Sequence, residues 1–561
     1  MATLTTNLFR GTGETDHRLE VVEGSWPSDV DGTAFIVGPD NRAPASHWFA
    51  AQGLLCRIDC TPDSKGRITV RQRLIRTPLM RLREKVPWLF ARVAFAELSP
   101  FGVTNLANTN VEAIDGRLFI GYDAGRPVEV DAQTMEYLTP VGANGEWFQT
   151  MPGLFEPMVS VAAHPAAAHD ENALYFVNYT PVPAPDGQAQ VSLARWPLEG
   201  ALERWPLKGV IPFDTIHDVK VTSDHVVFSD LPFAVGPEAM GFGERTEPNS
   251  DVTRLTIVAK ADLAATPSGQ PVRVTTVEVP MPTGHLSVDH DEEDGVITVY
   301  LEHIPLADLM IAIKPDEPAH FGGAPIPADY SGLVATTVQP GAVGRYRIRA
   351  ATGEVLESTV ASDDRFWGPL IATRDVSSLE TRRTGRYLWF AGMGYDPALV
   401  PEEWWRLYGE AGLNSLVDPA DLPQDAVPAS IARFDLDTME VVEVWSFADG
   451  AFASPPLFVP RRLPDGEPAP ADDGYLMVLV HRDGDKEIEV FESLNIEKGP
   501  VARATAKGFN PPLLLHGCWT RRTDRRSSYS VPKRRDVAGA VADLPRHMVS
   551  MVRTGWAMRP R

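Results

Sequence analysis

The stretch DTIHDVKVTSDHVVFSD, residues 214–230, alternates apolar and polar residues in the way that a β-hairpin does. Val219 and Val221, followed by the apolar run at 226–228, predict two short strands. The polar residues 222–224 between them predict the turn. His217 and Asp218 therefore lie at the start of a strand whose apolar residues predict that it is buried.

Turn-and-strand patterns of this kind recur along the chain. A turn residue, often glycine after an acidic or polar residue, is followed by a short run of β-formers in DGRLFIGY (115–122), ENALYFVNY (171–179), DGVITVYL (294–301), TGRYLWFAG (384–392) and DGYLMVLV (473–480). A second unit, D-x-x-T-M-E, occurs in VDAQTMEYL (130–138) and FDLDTMEVVEVWSF (434–447), and RAATGEVLEST (349–359) is related to it.

These repeats indicate an all-β fold. Frequent short strands, 44 glycines, 49 prolines and few long amphipathic helices favour a radial or barrel architecture. We predict a β-propeller. Two or three stacked β-sandwich domains are the alternative, because the repeats are too diverged to count blades.

Composition limits the classes of partner and compartment. A net charge of −23 argues against a nucleic-acid-binding surface, which needs clustered Lys and Arg. The three cysteines, Cys56, Cys60 and Cys518, are an odd number without a CxxC pair, which favours a reducing compartment. The first residues lack the apolar core of a signal peptide, and no apolar run approaches the about 18 residues that a membrane span needs. We therefore predict a cytoplasmic protein that does not span a membrane.

Two regions depart from the repeats. Residues 78–102, PLMRLREKVPWLFARVAFAELSPFG, are apolar with basic flanks, and the tail 521–561 has 11 Lys or Arg against 3 Asp. On an acidic protein, this local reversal of charge predicts peripheral contact with an anionic membrane surface through 87–101 and the tail. For the tail, a docked or disordered terminus is the alternative.

Four of the 13 histidines stand in distinctive contexts beside predicted strands. They are His164 in SVAAHPAAAHD, His217 in TIHDVKV, His285 in GHLSVDHDEED and His516 in PPLLLHGCWT. His47, His169 and His290 lie in contexts that favour structural or solvated roles.

In order and spacing, the four contexts resemble the ligand segments of the carotenoid cleavage oxygenase family, iron enzymes that split polyene and some stilbene double bonds with dioxygen. Ala163-His164-Pro165 is similar to the family's AHPK, and the residues that begin at His217 resemble its HDF and the strand after it. His285 precedes an acidic pair at 291–292, as the third family histidine does. PPLLLHGCW, at 511–519, resembles P-x-G-F-H-G-x-W.

The resemblance extends over roughly residues 20–520. GTAFIVGPDNRAPASHWFAAQG (32–53) is similar to the family's opening segment, and LANTNVEAIDGRLFIGYDAGRPVEVDAQTMEYL (106–138) to its next. SPPLFVPRR (454–462) and GPVARATAKGFNPPLLLHG (499–517) fall where the family has similar segments.

The resemblance implies a seven-bladed β-propeller with a helical or loop cap over an axial iron site. It implies one domain over 1–520, with cap insertions such as 78–102, followed by the basic tail 521–561. One Fe(II) would be held by His164, His217, His285 and His516. Imidazole suits iron, and four neutral ligands leave open positions for dioxygen beside a substrate.

The chain departs from the family at the carboxylates that orient the ligands. Where the family has three glutamates, this chain has Asp123, Asp375 and Pro455. Aspartate keeps the acceptor but is shorter, whereas proline cannot accept a hydrogen bond through its side chain. Losing such a partner commonly costs about 10- to 100-fold in metal affinity or activity. The family's DGDG is also replaced, by AAQG at 50–53.

The implied reaction is oxidative cleavage of a conjugated C=C bond in a lipophilic carotenoid or apocarotenoid-like substrate, with O2, to two carbonyl products. A dioxygenase of stilbene or phenylpropene substrates is one alternative, although members that cleave stilbenes carry a lysine where this chain has Tyr122. We expect Tyr122 to contact substrate and Thr109 to place a hydroxyl near the open iron position. A catalytically impaired, ligand-binding propeller is the other alternative.

Overall fold

The computed structural model describes residues 8, 11–41, 47–93, 96–180, 191–210, 215–233, 245–334, 338–372, 385–448, 450–464, 469–482, 486–525, 527–538 and 541. The strands of the first part of the chain are β1 (Thr15–Gly24), β2 (Thr33–Pro39), β3 (Gly53–Asp59), β4 (Ile68–Leu74), β5 (Ala91–Val93), β6 (Ala96–Ser99), β7 (Gly102–Val103), β8 (Asn110–Ile114), β9 (Arg117–Gly121), β10 (Val128–Val130), β11 (Tyr137–Pro140), β12 (Ser160–Val161), β13 (Ala166–Ala168), β14 (Ala173–Tyr179), β15 (Val191–Trp196) and β16 (Glu203–Pro206).

The later strands are β17 (Thr215–Val221), β18 (His225–Leu231), β19 (Val252–Ala259), β20 (Thr275–Pro280), β21 (Thr283–Val288), β22 (Val296–His303), β23 (Pro340–Arg349), β24 (Glu354–Trp367), β25 (Pro369–Ala372), β26 (Tyr387–Gly392), β27 (Ser430–Asp435), β28 (Glu440–Ser446), β29 (Phe452–Ala453), β30 (Leu457–Pro460), β31 (Gly474–His481), β32 (Glu487–Glu492), β33 (Ala502–Thr505) and β34 (His516–Thr520). Short α-helices among the described residues include α1 (Pro78–Lys85), α2 (Lys260–Ala265) and α3 (Glu402–Tyr408), and residues 533–538 are also helical. Single 3-10 turns lie at Trp48–Ala50, Pro87–Leu89, Asn144–Glu146, Ala328–Tyr330, Pro397–Leu399, Pro419–Asp421 and Ile496–Lys498.

Most strands pair with their neighbours in sequence. β8–β11, β12–β16, β17–β20, β21–β24 and β25–β28 form five separate antiparallel sheets. A ten-stranded sheet has the order β29-β31-β32-β33-β1-β4-β3-β2-β34, with β30 beside β31. β1 lies between β33 and β4 and joins the two halves of this sheet. Counted as two units, the halves bring the five separate sheets to seven, a number compatible with the seven predicted blades.

The two ends of the chain close the ring of sheets. β34 pairs with β2, placing His516 opposite Val37, and β1 pairs with both β33 and β4. Successive sheets around a ring that is closed by the chain ends form a β-propeller, so the predicted fold class is confirmed and the stacked β-sandwich alternative is wrong.

The core consists of apolar layers between neighbouring sheets. Val177 and Leu193 of one sheet share a cluster with Ile216, Val219 and Phe228 of the next, and all of these side chains are buried. Since both faces of an inner sheet are covered in this way, apolar residues follow one another along its strands without strict alternation. Burial between sheets is the main source of stability for such a ring.

The predicted hairpins are also present. β17 and β18 are joined at 222–224, as the sequence indicates. In the repeated D-x-x-T-M-E turn, Met135 and Met439 have positive φ values of 61° and 56°, and Gly353 has 75° at the equivalent place. Asp131 and Asp435 each accept hydrogen bonds from the main-chain N–H groups two and three residues later. The repeat is therefore one turn with a left-handed residue, which the aspartate stabilises.

A cap of loops and short helices covers one end of the propeller. Residues 78–93 and 96–103 contain α1 and the small sheet β5–β7, and α3 packs through Trp404 and Tyr408 beside Leu306. The Tyr408 hydroxyl donates to Asp308 Oδ2 at 2.7 Å, and Arg245 pairs with the same carboxylate at 2.5 Å. These contacts join α3 to the loop that follows β22 and to the loop that precedes β19. Among the described helices, none has the length and hydrophobicity that crossing a bilayer requires.

Two buried histidines tie loops to the framework in their neutral form. His303 Nε2 lies 2.9 Å from the Tyr346 hydroxyl, and burial lowers the pKa of His303 to about 4. His47 Nδ1 accepts the N–H of Phe49 at 3.1 Å, so Nε2 carries the proton and donates to the carbonyl of Leu309 at 3.0 Å. Burial lowers the pKa of His47 to about 4, although the Leu309 carbonyl opposes this shift.

We expect stability to fall as the pH is lowered through the window between the unfolded pKa of 6.5 and the folded pKa of about 4. In that window the unfolded chain binds protons that the folded chain does not, so each histidine makes the free energy of unfolding fall by about 1.4 kcal/mol per pH unit. Urea unfolding of the wild type, His47→Gln and His303→Gln across this window measures the effect. Equal pH slopes in all three proteins would contradict it.

Candidate metal centre

Four histidines from distant parts of the sequence meet in the interior. The side chains of His164, His217, His285 and His516 each offer one ring nitrogen, and these atoms all lie within 4.8 Å of one another. The ring of His164 is 4.1 Å from that of His516, 4.6 Å from that of His217 and 5.0 Å from that of His285, centroid to centroid. The structure thus brings together the four histidines that the sequence singled out.

Irregularities in two strands aim two of these rings. His217 is the third residue of β17 and has no partner in the ladder, because Ile216 pairs with Asp230 and Asp218 pairs with Ser229. β21 has a similar shift between Thr283 and Leu286, on either side of His285. A β-bulge redirects a side chain in this way and often occurs beside functional sites.

The other two histidines are held by strand pairing. His164 lies between β12 and β13, where its N–H donates to the carbonyl of His217 at 3.0 Å and its carbonyl accepts the N–H of Val219 at 3.1 Å. His516 is the first residue of β34 and pairs with Val37. Both backbones are therefore fixed by a neighbouring sheet.

Asp218, directly after His217, joins two sheets beside the histidines. Its carboxylate is fully buried, with Oδ2 accepting the N–H of Leu286 at 3.1 Å and Oδ1 accepting Lys220 Nζ at 2.6 Å. Leu286 follows His285, so the hydrogen bond of Asp218 fixes one histidine strand against the next. This contact explains why an aspartate follows the histidine in the 214–230 segment.

Asp123 contacts a histidine ring as the sequence predicts. Asp123 Oδ1 is 2.9 Å from His217 Nδ1, and the same oxygen accepts the N–H of Ala163 at 3.3 Å. A carboxylate on Nδ1 holds the proton there and leaves Nε2 free to act as a ligand.

Glu302 makes the equivalent contact to a second histidine, and the sequence analysis missed it. Glu302 Oε2 lies 2.9 Å from His285 Nδ1, across the β21–β22 pair. Glu302 is buried within the apolar strand VITVYLEH. An acidic residue inside such a strand was the available signal, because an ionised carboxylate is buried only where it is paired.

Of the other two positions where the family has an orienting glutamate, one is not described and the other holds a proline. Asp375 lies outside the described residues. Pro455 is buried beside Ser454, whose hydroxyl lies 3.1 Å from His481 Nε2. In the part of the chain that the structure describes, no carboxylate is hydrogen-bonded to the ring of His164 or His516.

Burial and mutual repulsion favour the neutral form of two rings in this cluster, those of His164 and His516. The pKa of His164 is lowered well below its usual value by burial, and then by His516 and the other two rings. The pKa of His516 is likewise lowered by burial and then by His285 and His217. For His285, burial acts to lower the pKa, but the Glu302 carboxylate outweighs it and the net shift is upward.

Three histidines of the cluster, His217, His285 and His516, line a cavity of about 130 Å³. Thr109 and Tyr122, which the sequence analysis expects beside the open position and the substrate, both line this cavity. Burial raises the pKa of Tyr122, which keeps its hydroxyl protonated. The rest of the wall is largely apolar and comprises, among the described residues, Trp48, Phe49, Asn108, Asp123, Ala124, Met158, Ser160, Tyr179, Thr215, Leu231, Phe233, Gly284, Ile304, Leu309, Pro369 and Leu515.

These donors fit a transition-metal ion. His164 Nε2 and His285 Nε2 are buried and have no hydrogen-bond partner among the described residues. Burying such atoms unpaired costs about 1–3 kcal/mol each, which a bound cation would offset. Metal–imidazole bonds of about 2.1 Å place opposite ligand atoms about 4.2 Å apart, within the span of the cluster.

The remaining histidines have other surroundings. His47 packs near Trp48 and Phe49 and ties their loop to Leu309. His290 is at the surface beside Asp291, and burial lowers the pKa of His169. None of the three belongs to the four-histidine cluster.

Comparison with known proteins places the chain among its relatives. The family model described as retinal pigment epithelial membrane protein matches residues 8–521. The apocarotenoid-15,15'-oxygenase of Synechocystis is 21% identical over 531 residues, covering 90% of this chain and 94% of that protein. The resveratrol cleavage oxygenase 1 of Aspergillus fumigatus is 26% identical over 333 residues, covering 57% of this chain and 61% of that protein.

Solved structures agree with the fold. A variant of the Synechocystis apocarotenoid oxygenase has a TM-score of 0.63 and 19% identity, covering 93% of this chain and 100% of that one. The lignostilbene dioxygenase of Pseudomonas brassicacearum has a TM-score of 0.61 and 19% identity, covering 92% and 97%. Because the family model matches most of this chain, the chain belongs to the carotenoid cleavage oxygenase family, which that model describes as retinal pigment epithelial membrane protein.

Proposed function

We propose that the protein is a non-haem Fe(II) dioxygenase that cleaves a conjugated C=C bond of a carotenoid or apocarotenoid-like substrate to two carbonyl products. The observation that carries the proposal is the cluster of four histidine nitrogens within 4.8 Å of one another, three of whose side chains line an apolar cavity. Held by His164, His217, His285 and His516, a ferrous ion would supply the binding and reduction of dioxygen that this cleavage requires.

The protein's own groups orient and shelter the centre. Asp123 and Glu302 fix the rotation and tautomer of His217 and His285 through Nδ1. The apolar side chains around the cavity exclude water and hold the alkene beside the open positions. No side chain needs to move a proton, because both oxygen atoms of dioxygen enter the carbonyl products.

Cleavage of a stilbene or phenylpropene is the second candidate. Tyr122 and Tyr179 line the cavity, so two phenol groups are available to hydrogen-bond an oxygenated aromatic ring. The relatives named for resveratrol and lignostilbene cleavage also support it. Parallel assays of apocarotenoids and hydroxystilbenes for aldehyde products distinguish the two candidates.

We expect protein purified anaerobically with added Fe(II) to contain about one iron per chain, held by the four imidazoles. His217→Ala and His516→Ala should lose most of it, since each removes one ligand. His290→Ala, at the surface beside Asp291, is the matched control and should keep its iron. Metal analysis after gel filtration gives the stoichiometry.

Little iron in the wild type, unchanged by either ligand substitution, would contradict the oxygenase proposal. The protein would then be the ligand-binding propeller that the altered orienting residues suggest as an alternative.

Glu302→Gln should weaken metal binding about 10- to 100-fold, because the charged acceptor on His285 is lost. Glu302→Asp keeps the charge on a shorter side chain and should fall between Glu302→Gln and the wild type. Titration with Co2+, followed by its visible absorption, measures the affinity. Glu278→Gln, at the surface and paired with Arg254, is the control, and an effect of equal size there would rule out the role of Glu302.

A lipophilic substrate needs a route from a membrane, and residues 87–101 offer a surface for it. Trp88 is 78% exposed and Phe155 is 39% exposed. The ring of Phe155 stacks on Phe101 at 5.3 Å, and three residues later Met158 lines the cavity. We propose peripheral contact of a cytoplasmic protein with the inner membrane face through this surface, to which residues of the basic tail beyond 538 would add.

Trp88→Ser and Phe155→Ser should each reduce sedimentation with vesicles that contain anionic lipid, because exposed aromatic rings insert at the lipid interface. Val442→Ser removes an exposed apolar side chain from β28 and serves as the control. Unchanged sedimentation of the two aromatic variants would contradict the membrane contact.

A further inference from the structure

The described part of the basic tail makes a specific buried contact. Asp536 Oδ1 and Oδ2 accept hydrogen bonds from the guanidinium of Arg126 at 3.1 and 2.9 Å. The side chain of Arg126 is 5% exposed and that of Asp536 is 13% exposed. Asp536 Oδ1 also accepts the N–H of Asn144 at 2.6 Å. A paired, two-point contact of this kind fixes the position of both partners.

The rest of the segment is anchored on the same sheet. The Tyr529 hydroxyl accepts the N–H of Gly142 at 2.9 Å, and its ring lies 4.8 Å from that of Trp196. Val531 N–H donates to Thr139 Oγ1 at 3.0 Å. Residues 521–525 and 527–538 therefore run along the β8–β11 sheet, and the docked alternative for the tail holds for its described residues.

Arg126 belongs to the turn that carries Tyr122 and Asp123. Gly125 N–H donates to the Tyr122 carbonyl at 3.3 Å, which closes the turn. The Arg126 carbonyl accepts Asn105 Nδ2 at 2.7 Å, so the turn is fixed from inside the protein as well. On the other side of this turn, Asp123 contacts His217.

We propose that Asp536 is a positioning residue for the metal centre: by clamping Arg126, the C-terminal segment holds the turn at 122–126 so that Asp123 stays on His217. The inference rests on the proposed metal centre. It goes beyond the family, because the matched region ends at residue 521, before the segment that makes the clamp.

The length of the Asp123 side chain makes the clamp useful. Aspartate has one rotatable bond fewer than the glutamate that the family resemblance implies here, so it compensates less for movement of its backbone. A small shift of the turn therefore lengthens the 2.9 Å contact to His217 directly. An ion pair that immobilises Arg126, three residues away, limits that shift.

Asp536→Asn tests the clamp, with Asp524→Asn as the matched control, since Asp524 is an exposed aspartate of the same segment. Hydrogen exchange of the metal-free protein should be faster at 122–126 in Asp536→Asn and unchanged in Asp524→Asn. Asp536→Asn should bind Co2+ about tenfold more weakly than the wild type, because the orientation of the His217 ring is altered. For the same reason, the visible absorption band of its Co2+ complex should be shifted.

A double-mutant cycle separates positioning from general destabilisation. In an Asp123→Asn background, Asp536→Asn should have little further effect on Co2+ affinity, because both changes act through the same contact. Full additivity, unchanged exchange at 122–126, or an unchanged Co2+ affinity and spectrum would overturn the proposal. If the wild type binds no metal, the proposed function fails instead, and the exchange result on metal-free protein still decides whether Asp536 holds the turn.

Discussion

Hydrogen bonds between neighbouring sheets, directly behind the histidine rings, are the constraint on which the centre depends. His164 exchanges main-chain hydrogen bonds with His217 and Val219, and Asp218 binds the N–H of Leu286. Four rings from four sheets cannot converge within a few ångströms unless their backbones are fixed relative to one another. The ion pair with Lys220 offsets the free-energy cost of burying the Asp218 carboxylate, and the strands behind the histidines are held rigidly.

Local features of this fold could be predicted from the sequence, and features that depend on register could not. The strands of the 214–230 hairpin follow from alternation, and the T-M-E turns follow from one aspartate and one left-handed position. The bulges at His217 and near His285 have no local signature, because a bulge is defined by the strand that lies opposite. The four histidines could be recognised from their motif contexts, but the direction of their side chains is determined by strand pairing.

The orienting carboxylates show the same division. Asp123 could be predicted because it stands in a segment similar to the family's. Glu302 could not be found by motif, since it approaches His285 from the adjacent strand of the same sheet. The signal for Glu302 is physical. A buried acidic residue in an apolar strand needs a partner, and the adjacent strand has a histidine near its start. The docking of Asp536 on Arg126 joins residues far apart in sequence and leaves no periodic pattern to detect.

Two carboxylates in the described part of the chain match the charge that a divalent cation would bring to the four histidines. Neutral imidazoles add no charge, so a divalent cation held by them would keep both of its charges in a mostly apolar cavity. Asp123 and Glu302 are the two carboxylates that contact the cluster among the described residues, and together they balance those charges. Asp218 does not alter this sum because Lys220 is paired with it. Among the described residues, Glu302 therefore supplies the second of the two negative charges, although position 455 holds a proline.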